Sequence, residues 1–298
     1  MRRRSVFGLT LALGVVAGLH GSAEAGKPAG FLAEVDWDQA DPRFGGISAI
    51  SVTDGGNSFT AVSDRGSVLQ GRLLRDGTGR LTGVAGGAPV VLLRPDGTPL
   101  PRSMADSEGL ALDGKGGFYI SFEGPARVRH YARPGAPAEN LDRPRAFDAM
   151  IENASLESLC RGPDGALYTL PEDSGSHASP FPLFRWRAGQ WDRFGTIARS
   201  DEFRAVDCAI GPDGRFYLLQ RAFHGLGGFA SRLVRFDFTA NGLTGRQVLF
   251  QSETGTFDDL EGLSVWRDAA GRLRATMVSD DNFSAFFVTE VVEFALPE

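Results

Sequence analysis

Asp106-Ser-Glu108-Gly-Leu-Ala-Leu112, with its return Phe118-Tyr-Ile-Ser-Phe-Glu123, places an acid at each end of an apolar hairpin. Ser155-Leu-Glu157-Ser-Leu159, with Ala166-Leu-Tyr-Thr-Leu-Pro-Glu172, does so again at the same internal spacing. A looser copy runs from Glu261-Gly-Leu-Ser-Val265 to Met277-Val-Ser-Asp280. The runs are short, rich in valine, leucine and aromatics, and broken by glycine turns, which favours strands over any 3.6-residue period. Repetition of one supersecondary unit along a chain predicts a radially repeated β fold, because a lone unit leaves apolar surface that only its neighbours can cover.

Working outward, five blocks can be laid down. The first runs from Gly45-Gly-Ile-Ser48 to Val62-Ser-Asp64, and the second and third hold the two acidic hairpins. In the fourth, Ala205-Val-Asp207-Cys-Ala-Ile210 turns at Gly211-Pro-Asp-Gly214 and returns to Arg221. The fifth extends from Asp259 toward Asp280-Asp-Asn282. Pro-Asp-Gly recurs at 95–97, 163–165 and 212–214. There proline presets one turn angle, aspartate bonds nearby amides and glycine accepts positive φ.

Further strand material follows each hairpin, so the expected fold is all-β: a single five-bladed propeller of four-stranded antiparallel blades. Phe31-Leu-Ala-Glu-Val-Asp-Trp37 is the expected outer strand of the last blade, closing the ring. Six blades is the alternative, because 67–104 is long and holds several strand candidates. Phe59, Phe118, Tyr119, Tyr168, Phe216 and Tyr217 are read as packing between blades.

The first 25 residues read as a signal peptide, with Arg2, Arg3 and Arg4 ahead of an apolar Val6–Leu19 core and Ala23-Glu-Ala25 at the cleavage positions. The propeller domain is then 26–298, and the expected location is periplasmic or secreted. No later apolar run approaches the roughly 20 residues of a membrane span. The full chain carries a net charge of -6 and no basic cluster, which argues against a nucleic-acid partner. Cys160 and Cys208 are the only cysteines. They could bridge neighbouring repeats after export, although two buried free thiols are the more ordinary reading of cysteines in apolar strands.

In a propeller the start of a blade's innermost strand and the end of its neighbour lie on one face. That topology gathers Glu108, Glu123, Glu157, Glu172, Glu261, Asp64 and Asp280 at one rim. Asp207 lies near the matching first position of the fourth block, offset by one, and Arg221 takes the second. Arg221 could pair with the carboxylates or contact an anionic substrate.

Crowded carboxylates need protons, hydrogen bonds or a cation. Calcium is the economical cation for carboxylate oxygens, as a clamp between blades or as a catalytic ion. His177 and His224 read as exposed loop residues. There is no Gly-x-Ser-x-Gly elbow, no phosphate-binding Gly-x-x-x-x-Gly-Lys-Ser/Thr loop and no His-Glu-x-x-His zinc motif.

At Gly45-Gly-Ile-Ser48, Val62-Ser-Asp64-Arg-Gly66, Asp106-Ser-Glu108-Gly-Leu110, Ser121-Phe-Glu123, Leu156-Glu157-Ser-Leu159, Leu170-Pro-Glu172, Leu219-Gln-Arg221, Leu260-Glu261-Gly-Leu263 and Val278-Ser-Asp280-Asp-Asn282 the chain resembles the bacterial phytase-like family with esterase-like activity. The resemblance spans nearly all of the chain after the signal segment. It implies a secreted or periplasmic propeller, often associated with calcium, and phosphoester hydrolysis.

On this reading the chain is a calcium-dependent phosphoester hydrolase acting on a small anionic or phosphorylated substrate. Glu108, Glu157, Glu261 and Arg221 are the candidate catalytic residues. Asp64, Glu108, Glu123, Glu157, Glu172, Glu261 and Asp280 are the candidate metal ligands. The rival is a noncatalytic periplasmic ligand-binding or interaction propeller with structural calcium.

Overall fold

The computed structural model describes residues 26–298 apart from 152, 153, 200 and 241; the expected signal peptide, residues 1–25, lies outside the described residues. Strand β1 (Phe31–Asp36) precedes five repeated units. Blade one holds β2 (Ile47–Thr53), β3 (Ser58–Ser63), β4 (Ser67–Arg75), β5 (Leu81–Gly86) and the short β6 (Val90–Val91). Blade two holds β7 (Ser107–Leu112), β8 (Phe118–Phe122), β9 (Arg127–Tyr131) and β10 (Ala138–Asn140). Blade three holds β11 (Leu156–Arg161), β12 (Leu167–Pro171), β13 (Phe181–Arg187) and β14 (Gln190–Ile197). Blade four holds β15 (Arg204–Ile210), β16 (Phe216–Phe223), β17 (Phe229–Thr239) and β18 (Gly242–Gln251), and blade five β19 (Asp259–Arg267), β20 (Leu273–Asp280) and β21 (Glu290–Ala295).

The fold is an all-β, five-bladed propeller of antiparallel blades. As expected, β1 pairs antiparallel with β21 as the outer strand of blade five, so the two ends of the domain close the ring. The long 67–104 segment forms no sixth blade: β6 pairs with β4 and widens blade one.

The Pro-Asp-Gly turns work as their residue types require. Gly97, Gly165 and Gly214 have φ of 81°, 84° and 78°. The preceding Asp96, Asp164 and Asp213 accept the backbone N–H two residues on. The core is partitioned between blades rather than pooled at the axis. Phe59 packs with Trp266 across blades one and five, and Phe118 with Val62 and Val68 across one and two. Tyr168 packs with Phe216 across blades three and four, and Tyr217 with Leu263 and Met277 across four and five.

Close approach of the innermost strands explains two sequence features. A Cβ added at Gly109 would sit 2.4 Å from the Leu159 backbone nitrogen, and one at Gly262 would sit 2.8 Å from the Ala49 Cα. The glycine of each Glu-Gly-Leu is therefore the spacer that lets β7 meet β11 and β19 meet β2.

The same proximity corrects the expectation of free thiols. Cys160 on β11 and Cys208 on β15 form a disulfide between blades three and four, with Cα atoms 5.6 Å apart. Neighbouring innermost strands near the axis bring the two residues within bonding range, which apolar character alone does not reveal.

Candidate functional site

Each innermost strand breaks register near its start. The irregularity falls between Ile47 and Ala49, Ser107 and Leu110, Leu156 and Ser158, Ala205 and Asp207, and Leu260 and Gly262. The residues left out of the pairing are Ser48, Glu108 with Gly109, Glu157, Val206 and Glu261. A bulge re-aims the extra side chain, and here it carries three glutamates into the channel mouth.

The second set comes from the ends of the returning strands. Asp64, Glu123 and Glu172 immediately follow β3, β8 and β12, while Arg221 lies in β16 and Asp280 ends β20. All seven acidic candidates and Arg221 line one 140 Å3 cavity, together with Asp106. That space has room for an ion with a few waters, and its lining side chains are all charged.

Asp207 is absent from this lining, and the bulge is the reason. Val206 takes the acid's position, so Asp207 turns into the protein, fully buried. It accepts N–H bonds from Leu263 at 2.7 Å and Cys208 at 2.8 Å. Burial raises its pKa well above the usual carboxylate range despite these bonds. Its role is to tie β15 to β19.

Arg221 realises the carboxylate-pairing alternative. Nη2 donates to Glu172 Oε1 at 3.0 Å, and Nη1 donates to both Asp259 and Glu261. Burial opposes its charge, but Glu261, Asp259 and Glu172 more than compensate and raise its pKa. Glu172 also accepts from Arg204 at 3.0 Å. Two ligand candidates, Glu172 and Glu261, are thus neutralised by arginine, and as an anion contact Arg221 would have to release carboxylate partners.

The other side of the cavity has no such compensation. Among the described residues, Asp64, Asp106, Glu108, Glu123, Glu157 and Asp280 form no ion pair within 4.0 Å. Burial, then repulsion from Asp106, Glu123, Asp64 and Asp280, pushes Glu108 well above its ordinary pKa. Burial and the surrounding glutamates do the same to Glu157. Burial raises Asp64 to about 6, with Arg65 and Arg102 holding it down. It raises Glu123 to about 7 against the Ser155 N–H bond, and Asp280 to about 7 with help from Asp64. Burial raises Asp106 and Glu123, while the neighbouring side chains of Glu108 and Glu157, respectively, act to lower them.

This donor set is all oxygen and over-charged, which fits a hard cation in chemistry. Among the described residues, however, no three His, Cys, Asp or Glu side chains are grouped to hold a metal ion as they stand.

Asp106 and Asp259 were not assigned to the site from sequence. Their signal is the Asp-x-Glu spacing shared by 106/108 and 259/261. The histidines lie outside the cavity, as expected. His177 is exposed, and His224 bonds Thr254 Oγ1 through Nδ1 at 2.7 Å.

A family model described as phytase-like, esterase-like activity of phytase, matches residues 42–283. The chain belongs to the phytase-like family. The match includes every residue of the phytase-like cavity, from Asp64 to Asp280. No curated protein matches the chain.

Among solved structures, the chain is similar to the α-L-arabinofuranosidase PaAbf62A of Podospora anserina, at 11% identity over 90% of this chain and 97% of that one, with a TM-score of 0.53. The family 62 arabinofuranosidase catalytic domain of Coprinopsis cinerea gives 12% identity, coverage of 91% and 98%, and a TM-score of 0.53. A luciferin-regenerating enzyme gives 12% identity, coverage of 88% and 95%, and a TM-score of 0.51. At these identities the likeness concerns the propeller fold alone.

Proposed function

We propose that this phytase-like propeller is an exported, calcium-dependent phosphoester hydrolase that works at the carboxylate mouth. The observation that carries the reading is the convergence of six carboxylates without ion pairs, next to an arginine-neutralised trio, around a cavity of ion-and-water size. A phosphoester cannot approach that many carboxylates unless their charge is compensated, and a cation would provide that compensation. Its ligands would be drawn from Asp64, Asp106, Glu108, Glu123, Glu157 and Asp280, which would have to close in from their present positions. When bound, it supplies charge neutralisation and polarisation of a phosphoryl oxygen.

The chain's own residues have distinct tasks. Arg221 fixes Glu172, Asp259 and Glu261 in place through its hydrogen bonds. The paired carboxyls Asp106/Glu108 and Glu123/Glu157 sit where a water proton can be taken up. In the hydrolysis the water oxygen joins phosphorus as the ester P–O bond breaks, and the water proton passes through a carboxylate to the departing alcohol. The Cys160–Cys208 disulfide supports an oxidising, periplasmic or secreted location. Among the described residues no helix is long and apolar enough to cross a membrane.

The test is phosphate release from phosphomonoesters by protein stripped of metal and then given calcium. Activity should require calcium, and Glu108→Gln should lower turnover by about 100-fold, in the range for loss of a proton-transfer group, with the fold intact. Absence of turnover on every phosphomonoester despite measured calcium binding would leave the noncatalytic binding propeller in its place.

A further inference from the structure

A second cavity, of 660 Å3, adjoins the carboxylate mouth and shares Asp64, Asp106 and Glu123 with it. Its lining draws on segments far apart in the chain. Arg65 follows β3, Arg102 opens the 3-10 turn Arg102–Met104, and Phe147, Met150 and Ile151 belong to or follow the 3-10 turn Arg145–Ala149.

The two kinds of lining differ sharply. Arg65 and Arg102 are exposed, and among the described residues neither pairs with a carboxylate within 4.0 Å. Behind them Arg127 is buried, and its guanidinium donates to the carbonyls of Met104 and, at 2.8 Å, Pro125. That leaves positive charge beside the shared acids. The apolar part is rigid where Phe147 meets Phe184 and Trp191 edge-on, with ring centroids 5.3 Å away in each case, and open where Ile151 stays 45% exposed.

We infer that this pocket selects phosphomonoesters with an apolar leaving group, aryl or alkyl. The phosphate lies at the boundary with the carboxylate mouth beside Arg65 and Arg102, and the organic group lies on Met150 and Ile151, with the buried Phe147 behind them. The inference rests on the hydrolase reading for its reaction, which is the hydrolysis balanced above. It adds the substrate class. The mouth is lined by charged side chains and gives the organic part no apolar contact, whereas the neighbouring cavity offers Met150 and Ile151.

Calorimetry in calcium with two non-hydrolysable probes, phenylphosphonate and methylphosphonate, tests it. Phenylphosphonate should bind about tenfold more tightly, as expected for burying part of a ring. Ile151→Ser should erase most of that difference without changing the melting temperature. Arg102→Ala should weaken both probes by about tenfold, the scale of one charge-assisted contact. Equal affinities for the two probes, a difference that survives Ile151→Ser, or affinities unchanged by Arg102→Ala would overturn the assignment. Turnover separates the two readings. Selective probe binding with no hydrolysis of phenyl phosphate defeats the hydrolase and leaves the pocket. Calcium-dependent hydrolysis that favours inositol hexakisphosphate over phenyl phosphate defeats the pocket and leaves the hydrolase.

Discussion

Stripped of divalent cations, the protein should become more stable on acidification from pH 8 to pH 5, the reverse of ordinary behaviour for a chain rich in ion-paired carboxylates. Asp280 shows the size of the effect. Burial, then the nearby Asp64, raises it from 3.8 to about 7 in the folded protein. A carboxyl whose folded pKa lies above its unfolded value favours folding while protonated, and that contribution disappears as pH rises through the folded value. Between pH 5 and pH 8 this single group removes roughly 3 kcal/mol, which is about 5 °C or more in melting temperature for a domain of this size. Glu123, raised to about 7, acts in the same window.

Carboxylates held low work elsewhere on the scale. Asp268, at about 2 through the bonds from Arg272 and Arg274 that outweigh its burial, favours folding above pH 4 and loses that effect only toward pH 2. Glu290 also titrates in the upper window. It is pushed to about 8 by burial and Glu34, away from the mouth, so the measurement is best made in a Glu290→Gln background. Calcium at a hundredfold its dissociation constant should restore about 2.7 kcal/mol at pH 8 and less at pH 5, where protons compete for the same oxygens. Differential scanning fluorimetry in EDTA and in calcium reads both effects. A melting temperature that is flat or rises from pH 5 to pH 8 in EDTA, or an equal calcium gain at both pH values, would refute the reasoning.

Three further outcomes follow from the packing. Arg221→Gln leaves Glu172, Asp259 and Glu261 without their shared cation, and should cost about 3–5 kcal/mol by denaturant unfolding at pH 7.5, less at pH 5. Gly109→Ala drives a methyl group onto the Leu159 backbone and should destabilise by about 1–3 kcal/mol or more, with no change in which cation binds. The double substitution Cys160→Ser/Cys208→Ser opens a loop with a sequence separation of 48 residues. It should lower stability by about 4 kcal/mol, and a reducing agent should do the same to the parent protein alone.

Much of the architecture was legible because its determinants are local. Hairpin length, the Pro-Asp-Gly turns and alternating apolar residues define each repeat, and Phe31 to Trp37 was readable as a strand in need of a blade. The rim was legible for the same reason, since antiparallel return brings Glu108 and Glu123 to one end whatever else the chain does. What escaped depends on single-residue offsets or on convergence. One bulge position separates Val206 from Asp207 and converts an apparent site acid into a buried tie. The cysteine bridge needed the separation of adjacent inner strands. Arg65 and Arg102 lie in different blocks and form no basic run, so only the closed ring places them at one pocket.

Anomalous scattering from a crystal grown with calcium tests the central claim most directly. The account predicts a calcium peak inside the cavity bounded by Asp64, Asp106, Glu108, Glu123, Glu157 and Asp280, lost in Glu108→Gln/Glu157→Gln. A map at saturating calcium with no peak in that cavity, or with peaks only on outer loops, would contradict it.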